Sequence, residues 1–360
     1  MSVEVCKCPS ATAETATSYL EAIVKVGLDA LRADIVSIMQ AHGVPPEEAE
    51  VGAEMCLDAE VRAHRAHGVR LLRNVLTEYV NGADRRRGIE IVAETAVSAQ
   101  LDGGFHLSWF IHRMAVDIAV RKATDIGIAL VSVRNAGVSG ALGYLVERIA
   151  DAELVGIAAN SSPVTVVAPG AAVATLGTNP VAIGVPRQAG SPLVLDMATS
   201  AVAYNEILRL RATGGALPAG VATDANGELT TDPAAAIDTT TGRGRILPFG
   251  GHRGYGLALM IELLVSAGVT GRVGEDKRGV VIAEPADFSA VYLAYRPSLV
   301  GDPTLASQAT DRLLDELNGQ GVRIPGEASR RRREACLRDG SLELNDDATE
   351  VLNALKRPTT

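Results

Sequence analysis

Aromatic side chains are scarce in this chain: 3% of its 360 residues are Phe, Trp or Tyr, and there is a single Trp. Stacking platforms for bases and aromatic shelves for sugars are therefore not expected. A basic surplus is missing as well. Asp and Glu number 43 against 34 Lys and Arg, a formal charge of −9, whereas nucleic-acid binding calls for a concentrated basic face. The runs Arg85–Arg87 and Arg330–Arg333 read instead as solvated faces. Of the four cysteines, only Cys6 and Cys8 lie close together, and no second pair completes a zinc site. Neither a disulfide framework nor a metal centre is expected. The start, Met-Ser-Val-Glu-Val-Cys-Lys-Cys, lacks a basic stretch followed by an apolar one, so no secretory signal is read and a reducing cytoplasm is the expected location. No helical run is apolar for the roughly 20 residues that span a bilayer, so no membrane partner is expected. Finally, no strand is followed by the Gly-x-Gly-x-x-Gly turn of a dinucleotide-binding βαβ unit.

What is present is the composition of a globular protein, 47% hydrophobic and 21% charged, long enough for two domains or more. Residues 1 to about 11 read as a loose tail. Residues 12–41 carry apolar positions at helical spacing, among them Leu20, Ile23, Val24, Leu28, Leu31, Ile35 and Ile38, which predicts one or two amphipathic helices. Gly43 ends that pattern. Pro45-Pro46-Glu47-Glu48 starts another helix, expected to run towards His67. Strands are predicted at 89–97, 126–133, 154–159, 181–185, 193–195, 279–283 and 291–295, and helices at 109–123 and 141–151. Arg211 to Arg245, rich in Gly, Thr, Asp and Pro, is too polar for core and reads as a flap. A charged helical tail runs from Asp302 to the end.

Chemistry concentrates in Pro248-Phe-Gly-Gly-His-Arg-Gly-Tyr-Gly-Leu-Ala-Leu-Met-Ile-Glu-Leu-Leu-Val265, where four glycines precede an apolar helix. Free N–H groups, the helix dipole, His252 and Arg253 together favour an anion at that N-terminus. Between Leu257 and Val265 only Glu262 is charged, so the helix is expected to be buried on nearly all sides. Small polar residues cluster at strand ends elsewhere: Asn160-Ser161-Ser162-Pro163, Thr178-Asn179-Pro180 and Thr199-Ser200. Such groups can meet phosphate and ribose oxygens, or they can serve as turn and helix-cap residues.

Gly-Gly-His-Arg-Gly-Tyr-Gly-Leu-Ala-Leu resembles the signature of the malate/L-lactate/ureidoglycolate dehydrogenase family, which includes diketogulonate and cyclic imino-acid reductases. Asn160–Pro163, Leu176-Gly-Thr-Asn-Pro-Val-Ala-Ile183, Leu195-Asp-Met-Ala-Thr-Ser200, Asp232-Pro233 and Val322-Arg-Ile-Pro-Gly-Glu327 are similar to further segments of that family, in order. The resemblance implies an α/β fold unrelated to the Rossmann fold, with a mixed, mostly antiparallel central sheet framed by helices from both termini. Residues 1–85 are then a helical region packing with 296–360, and 86–295 an NAD(P)-binding sheet domain with a flap at about 205–247. It also implies NAD or NADP as cofactor and a homodimer. The implied cofactor residues are Asn160, Ser161, Ser162, Pro163, Thr178, Asn179, Pro180, Thr199, Ser200, His252, Arg253, Gly254, Gly326 and Glu327.

The substrate side departs from the family. Ala66-His67-Gly68-Val69-Arg70-Leu71 stands where Ser-His-Gly-Val is followed by an Arg two residues on, and Gly137-Val138-Ser139-Gly140 stands where a loop His is usual. Asn205-Glu206 replaces Gly-Lys, and Arg253 replaces Lys, a swap that keeps charge and alters geometry. His67 is the best remaining proton donor, because a pKa near 6.5 lets it exchange protons at neutral pH. Arg70 supplies the guanidinium only if the helix turns by about 100°. His106, brought in beside Asp102-Gly103, has no assigned role. The expected function is NAD(P)-dependent hydride transfer on a small 2-oxo or 2-hydroxy acid or a cyclic imino acid, with a substrate outside housekeeping metabolism. The alternative is a nucleotide-binding relative repurposed for a non-redox step or inactive.

Overall fold

The computed structural model describes residues 24–187, 190–277 and 286–357. The loose tail at 1 to about 11, the part over 12–23 of the stretch expected to be helical, and the strand expected at 279–283 lie outside the described residues.

The chain's two ends meet first. β1 (Val24–Gly27) pairs antiparallel with β11 (Ser341–Leu344), Val24 opposite Leu344 and Val26 opposite Leu342. The β-branched pair Val24 and Val26, expected in a helix, is thus drawn into a strand by a partner more than 300 residues away, and β11 interrupts the expected helical tail. α1 (Leu28–Ala41) buries Leu31, Ile35, Ile38 and Met39 on one stripe. α2 (Pro46–Val61) begins with proline at its first turn beside Glu47 and Glu48, where fixed φ and negative charge suit a helix N-terminus. It ends at Val61, six residues short of His67, because Ala63 turns the chain with φ 59°. α3 (Val69–Asn81) then restarts the helix, and Glu60 Oε1 accepts the Val69 N–H at 2.7 Å. A Cβ on Gly68 would lie 2.1 Å from that same carboxylate oxygen.

The sheet has seven strands in the order β2-β3-β4-β10-β5-β8-β9: β2 (Glu90–Glu94), β3 (Ser98–Asp102), β4 (Ile128–Arg134), β5 (Val155–Asn160), β8 (Val181–Val185), β9 (Leu193–Met197) and β10 (Ala290–Tyr295). Only β3 and β4 pair in parallel. All the other neighbours are antiparallel, because β10 enters late in the chain and inserts between β4 and β5. The fold is therefore α/β with a mixed, mostly antiparallel sheet. α4 (Ser108–Ile126) and α5 (Leu142–Asp151) pack on it, and Trp109, Ile111, Val131, Leu145, Ile149 and Tyr292 fill the space between, each at most 0% exposed. α5 lies so close that a Cβ on Gly184 would sit 2.4 Å from the Val146 carbonyl oxygen.

α6 (Tyr204–Thr213) leads into the excursion read as a polar flap, and here the structure corrects the sequence. Leu217, Ala222, Ala236, Ile237 and Ile246 are buried with Val166 of β6 (Val164–Val167), Leu176 of β7 (Ala174–Gly177), Ile207 and Ala258 in a second small core. Few apolar residues suffice because they converge from both ends of a loop-rich segment. α7 (His252–Ile261) continues through a π-helical stretch, Glu262–Ala267, into the short α8 (Gly268–Thr270). This helix is not buried all round: Met260 and Leu264 are 49% and 71% exposed, and Leu263 is exposed beside them. α9 (Pro303–Gly319), α10 (Glu327–Asp339) and α11 (Asp346–Leu355) close the chain, α10 against α2 and α11 against α3.

Candidate active site

Between the sheet's β5–β8–β9 end and the helices from both termini lies a cleft of about 1070 Å³, at the upper end of the range for small-molecule sites. The loop joining α2 to α3 gives it His64 and His67, α3 gives Leu71, Asn74 and Glu78, and the loop after β4 gives Val138 and Ser139. The opposite wall is built from Asn160–Pro163, Thr178, Pro180, Asp196 and, from the C-terminal region, Arg323, Gly326 and Arg330.

Each wall is held by buried polar bonds. Ser162 Oγ lies 3.0 Å from Thr178 Oγ1 and accepts the Asn179 N–H at 3.0 Å. Asn179, with φ 27°, donates through Nδ2 to Glu262 Oε2 at 2.8 Å and to the Ala258 carbonyl at 3.1 Å. Lys277 Nζ donates to Glu262 at 2.9 Å and to the Ser162 carbonyl at 3.0 Å. Glu262, the lone charge in the apolar helix, thereby fixes two cleft loops at once, and its pairing offsets the cost of burying it.

The structure sorts the sequence candidates. His67, Asn160, Ser161, Ser162, Pro163, Thr178, Pro180 and Gly326 line the cleft. Asn179 is buried behind it, and the hydroxyls of Thr199 and Ser200 are used on the Thr178 and Val202 carbonyls. His252 and Arg253 are exposed outside the cleft, at the glycine-rich turn. Gly254 serves packing, since a Cβ there would meet the Phe249 carbonyl oxygen at 2.2 Å. Glu327 pairs with Arg331 one turn along α10. Arg70 stands about 100° round α3 from Leu71, with its guanidinium 3.4 Å from Asp347 of α11, so it does not reach the cleft. His106 Nδ1 lies 2.7 Å from Glu48 Oε1, which makes it part of the support of the turn before α4.

Several cleft residues were not singled out by the sequence. Asp196, inside the quoted Leu-Asp-Met-Ala-Thr-Ser segment, accepts the Gly143 N–H at 2.7 Å. Burial raises its pKa, while His64 acts in the opposite sense. Burial also lowers the pKa of His64, with Asp196 opposing. His67 is open to solvent in the cleft yet surrounded by protein, which lowers its pKa too. Two imidazoles and a carboxyl thus stand together as groups able to hold or pass a proton. Arg330, read as a solvated residue, instead donates to the Pro192 carbonyl at 3.2 Å and faces the cleft with Arg323. Asn160 gives its Nδ2 to Ser139 Oγ at 2.8 Å, but its Oδ1 is buried without a partner. Among the described residues, no cluster of His, Cys, Asp and Glu is able to hold a metal ion.

Residues 26–353 match the malate/L-lactate dehydrogenase family model. The chain belongs to that family. Within the family, it is 32% identical over 307 residues to the L-sulfolactate dehydrogenase of Methanocaldococcus jannaschii, covering 83% of this chain and 87% of the relative. It is 31% identical over 324 residues to a Delta(1)-pyrroline-2-carboxylate/Delta(1)-piperideine-2-carboxylate reductase of Pseudomonas putida, covering 88% and 93%. A solved dehydrogenase from Sinorhizobium meliloti superposes with a TM-score of 0.82 at 32% identity, over 94% of this chain and all of that one. Family membership makes the chain an oxidoreductase, a dehydrogenase or reductase.

Proposed function

We propose that the protein transfers hydride between a nicotinamide dinucleotide, NAD or NADP, and a small 2-oxo or 2-hydroxy acid or cyclic imino acid. The observation that carries this is the buried, unpartnered Asn160 Oδ1 on the wall of a cleft that is also lined by His64 and His67. An orphaned acceptor at such a place calls for a donor from a ligand, and the carboxamide and ribose hydroxyls of a dinucleotide are such donors. Arg323 and Arg330 supply the positive charge that its phosphates need. The residues present therefore fit the cofactor, held without a Gly-x-Gly-x-x-Gly turn. We assign its binding to Asn160–Pro163, Thr178, Pro180, Arg323, Gly326 and Arg330.

When bound, the nicotinamide supplies or takes up hydride, and the chain orients the substrate and handles the proton. His67 gives a proton to the carbonyl oxygen or imine nitrogen as that atom gains charge. Asp196 beside His64 favours the charged form of that imidazole, against the effect of burial. Val138 on the facing loop is apolar and moves no proton. Cyclic imino acids ask least of such a site, since an imine nitrogen is often protonated at neutral pH. A homodimer is part of this reading, with the exposed Met260, Leu263 and Leu264 as apolar surface for a second copy.

The test is fluorescence titration with NADH and NADPH, followed by turnover against matched 2-oxo acids, sulfonated analogues and cyclic imino acids. Binding of one dinucleotide with turnover on one of these classes is expected. Absence of binding for both dinucleotides would overturn the reading.

A further inference from the structure

The end of the cleft farthest along α3 contains a carboxyl that neither the fold nor the proposed chemistry uses. Leu71, Asn74 and Glu78 stand three and four residues apart on one face of α3 and all line the cleft, as helical periodicity requires. Across from them, the loop after β4 lays its backbone directly on the Glu78 carboxyl. Gly137, with φ 62°, has no room for a side chain, because a Cβ would lie 2.8 Å from Glu78 Oε2 and 3.0 Å from Ser108 Cβ. The next residue, Val138, directs its N–H at the carboxyl. One oxygen is thereby fixed by the backbone while the group as a whole still borders the cleft.

No cation is paired with Glu78 among the described residues. Among the described residues none of the charged groups around it acts on its ionisation, and Arg65 of the loop before α3 acts on Glu60 instead. Arg73 on α3 is exposed. Arg70 faces Asp347, and His106 is held by Glu48. His112, behind Gly137, spends Nε2 on the Gly137 carbonyl and Nδ1 on the Tyr292 hydroxyl, and burial lowers its pKa to about 4, so it is neutral. His64, His67 and Asp196 belong to the loop before α3 and to β9. Arg62 is bonded to Asp58 and Glu147. With burial as the dominant influence and only the Val138 N–H opposing it, the Glu78 pKa is pushed up to about 8.

A withdrawn carboxyl without a counter-ion is costly for a side chain with a purely structural task, which a Gln or Leu would perform at less expense in desolvation. Such a group in a ligand cleft marks a functional position. Its neighbours define what it can meet. Leu71, Asn74 and Val138 share this part of the cleft's lining with it, two apolar side chains and one polar group, while the guanidinium groups that line the cleft among the described residues, Arg62, Arg65, Arg323 and Arg330, belong to neither α3 nor the loop after β4. An anionic group of the substrate would meet Glu78 with like charge or oblige it to stay protonated. A cationic nitrogen would supply the missing partner.

We infer that Glu78, with Asn74 beside it, is a specificity-determining subsite for a protonated nitrogen of the substrate, an ammonium or iminium carried on an apolar frame that packs between Leu71 and Val138. The substrate's carboxylate then points away from Glu78 along the cleft. This rests on the cleft being the substrate and dinucleotide site. Arrival of the cation converts Glu78 from carboxylic acid to carboxylate, and the displaced proton leaves to water. A second, smaller cavity of about 20 Å³ behind Glu78, lined also by His106, Ser108 and Gly137, has room for about one water. Ser108 Oγ, buried there without a partner, is suited to hold it.

The experiment uses two probes of equal ring size, piperidine-2-carboxylate, whose ring ammonium is positive at neutral pH, and cyclohexanecarboxylate, which has a methylene there. Calorimetric binding to the dinucleotide-loaded wild type in two buffers of different ionisation enthalpy reads both affinity and proton release. At pH 7, piperidine-2-carboxylate is expected to bind about tenfold or more tightly than cyclohexanecarboxylate, with close to one proton released for the first and none for the second. Glu78→Gln keeps the acceptor for Val138 and is expected to abolish both the preference and the release, while NADPH or NADH fluorescence titration shows that the variant is folded and loaded. Equal binding of the two probes to wild type, or proton release that persists in Glu78→Gln, would overturn the assignment. Loss of dinucleotide binding by wild type itself would instead strike the underlying functional reading, so the two failures are told apart.

Discussion

At the scale of single residues, two histidines differ in their surroundings. His67 borders the cleft, whereas His112 is enclosed between Tyr292 and Gly137. His67→Gln retains a donor of similar reach but no titratable proton. Its turnover is expected to fall about 10²–10⁴-fold with dinucleotide affinity nearly intact, read from steady-state kinetics beside fluorescence titration. Wild-type turnover in the variant would remove His67 from the chemistry. His112 is expected to make stability depend on pH. Burial lowers its folded pKa to about 4, below the ordinary histidine value of about 6.5, so between those values the unfolded chain binds the extra proton and stability drops as pH falls. From pH 7 to 4.5 the loss from this group is roughly 2–3 kcal/mol, and chemical denaturation of wild type and His112→Gln at both pH values measures it. An equal pH dependence in the two proteins would exclude His112 as its source. Glu78 acts in the opposite direction: its raised pKa makes its contribution greatest in acid and lost as pH rises through about 8.

At the scale of elements, α5 joins the packing on the sheet to the wall of the cleft. Its body rests on β5 and β8 where Gly156 and Gly184 have no side chains. Its first turn holds Asp196 through the Gly143 N–H. Gly184→Ala would force a methyl to within 2.4 Å of the Val146 carbonyl oxygen, so α5 must lift. Overpacking of this kind costs about 1–3 kcal/mol, seen as a lowered thermal midpoint, and turnover is expected to fall further than stability alone explains because Asp196 loses its donor. A variant as stable and as active as wild type would show that α5 does not set the position of Asp196. α3 shows the same economy of placement: Arg70 and Leu71 are adjacent in sequence yet face different surroundings, one towards Asp347 and the other into the cleft.

At the scale of the whole molecule, the two chain ends are tied by the β1–β11 pair and by Arg333, which reaches Asp58 at 2.9 Å while Asp58 also holds Arg62. The surface left over includes the apolar strip Met260, Leu263 and Leu264. Sedimentation equilibrium is expected to give the mass of two chains, and Leu264→Glu to shift it towards one, since a charge buried in an apolar contact is strongly disfavoured. A wild-type monomer would refute the dimer, and an unshifted Leu264→Glu dimer would place the interface elsewhere.

The sequence by itself carried the family, through short loops whose order is a property of the chain, and it carried most strands and helices, because apolar periodicity is local. It also singled out His67, Asn160–Pro163, Thr178 and Pro180, which the fold brings to one cleft. What it did not determine is which side of an element each residue faces. Thr199 and Asn179 have the same chemistry as Thr178 and Asn160, and only the fold spends their polar groups on neighbouring backbone and on Glu262. Val24 and Val26 became a strand because β11 lay alongside, and the polar excursion gained a core because residues from 166 to 258 converge on it. Glu78 had no motif to announce it. Its character comes from a glycine loop more than 50 residues later in the chain, which packs its backbone on the carboxyl and brings no counter-charge. Burial and pairing are relations between distant segments, and those were decided in three dimensions.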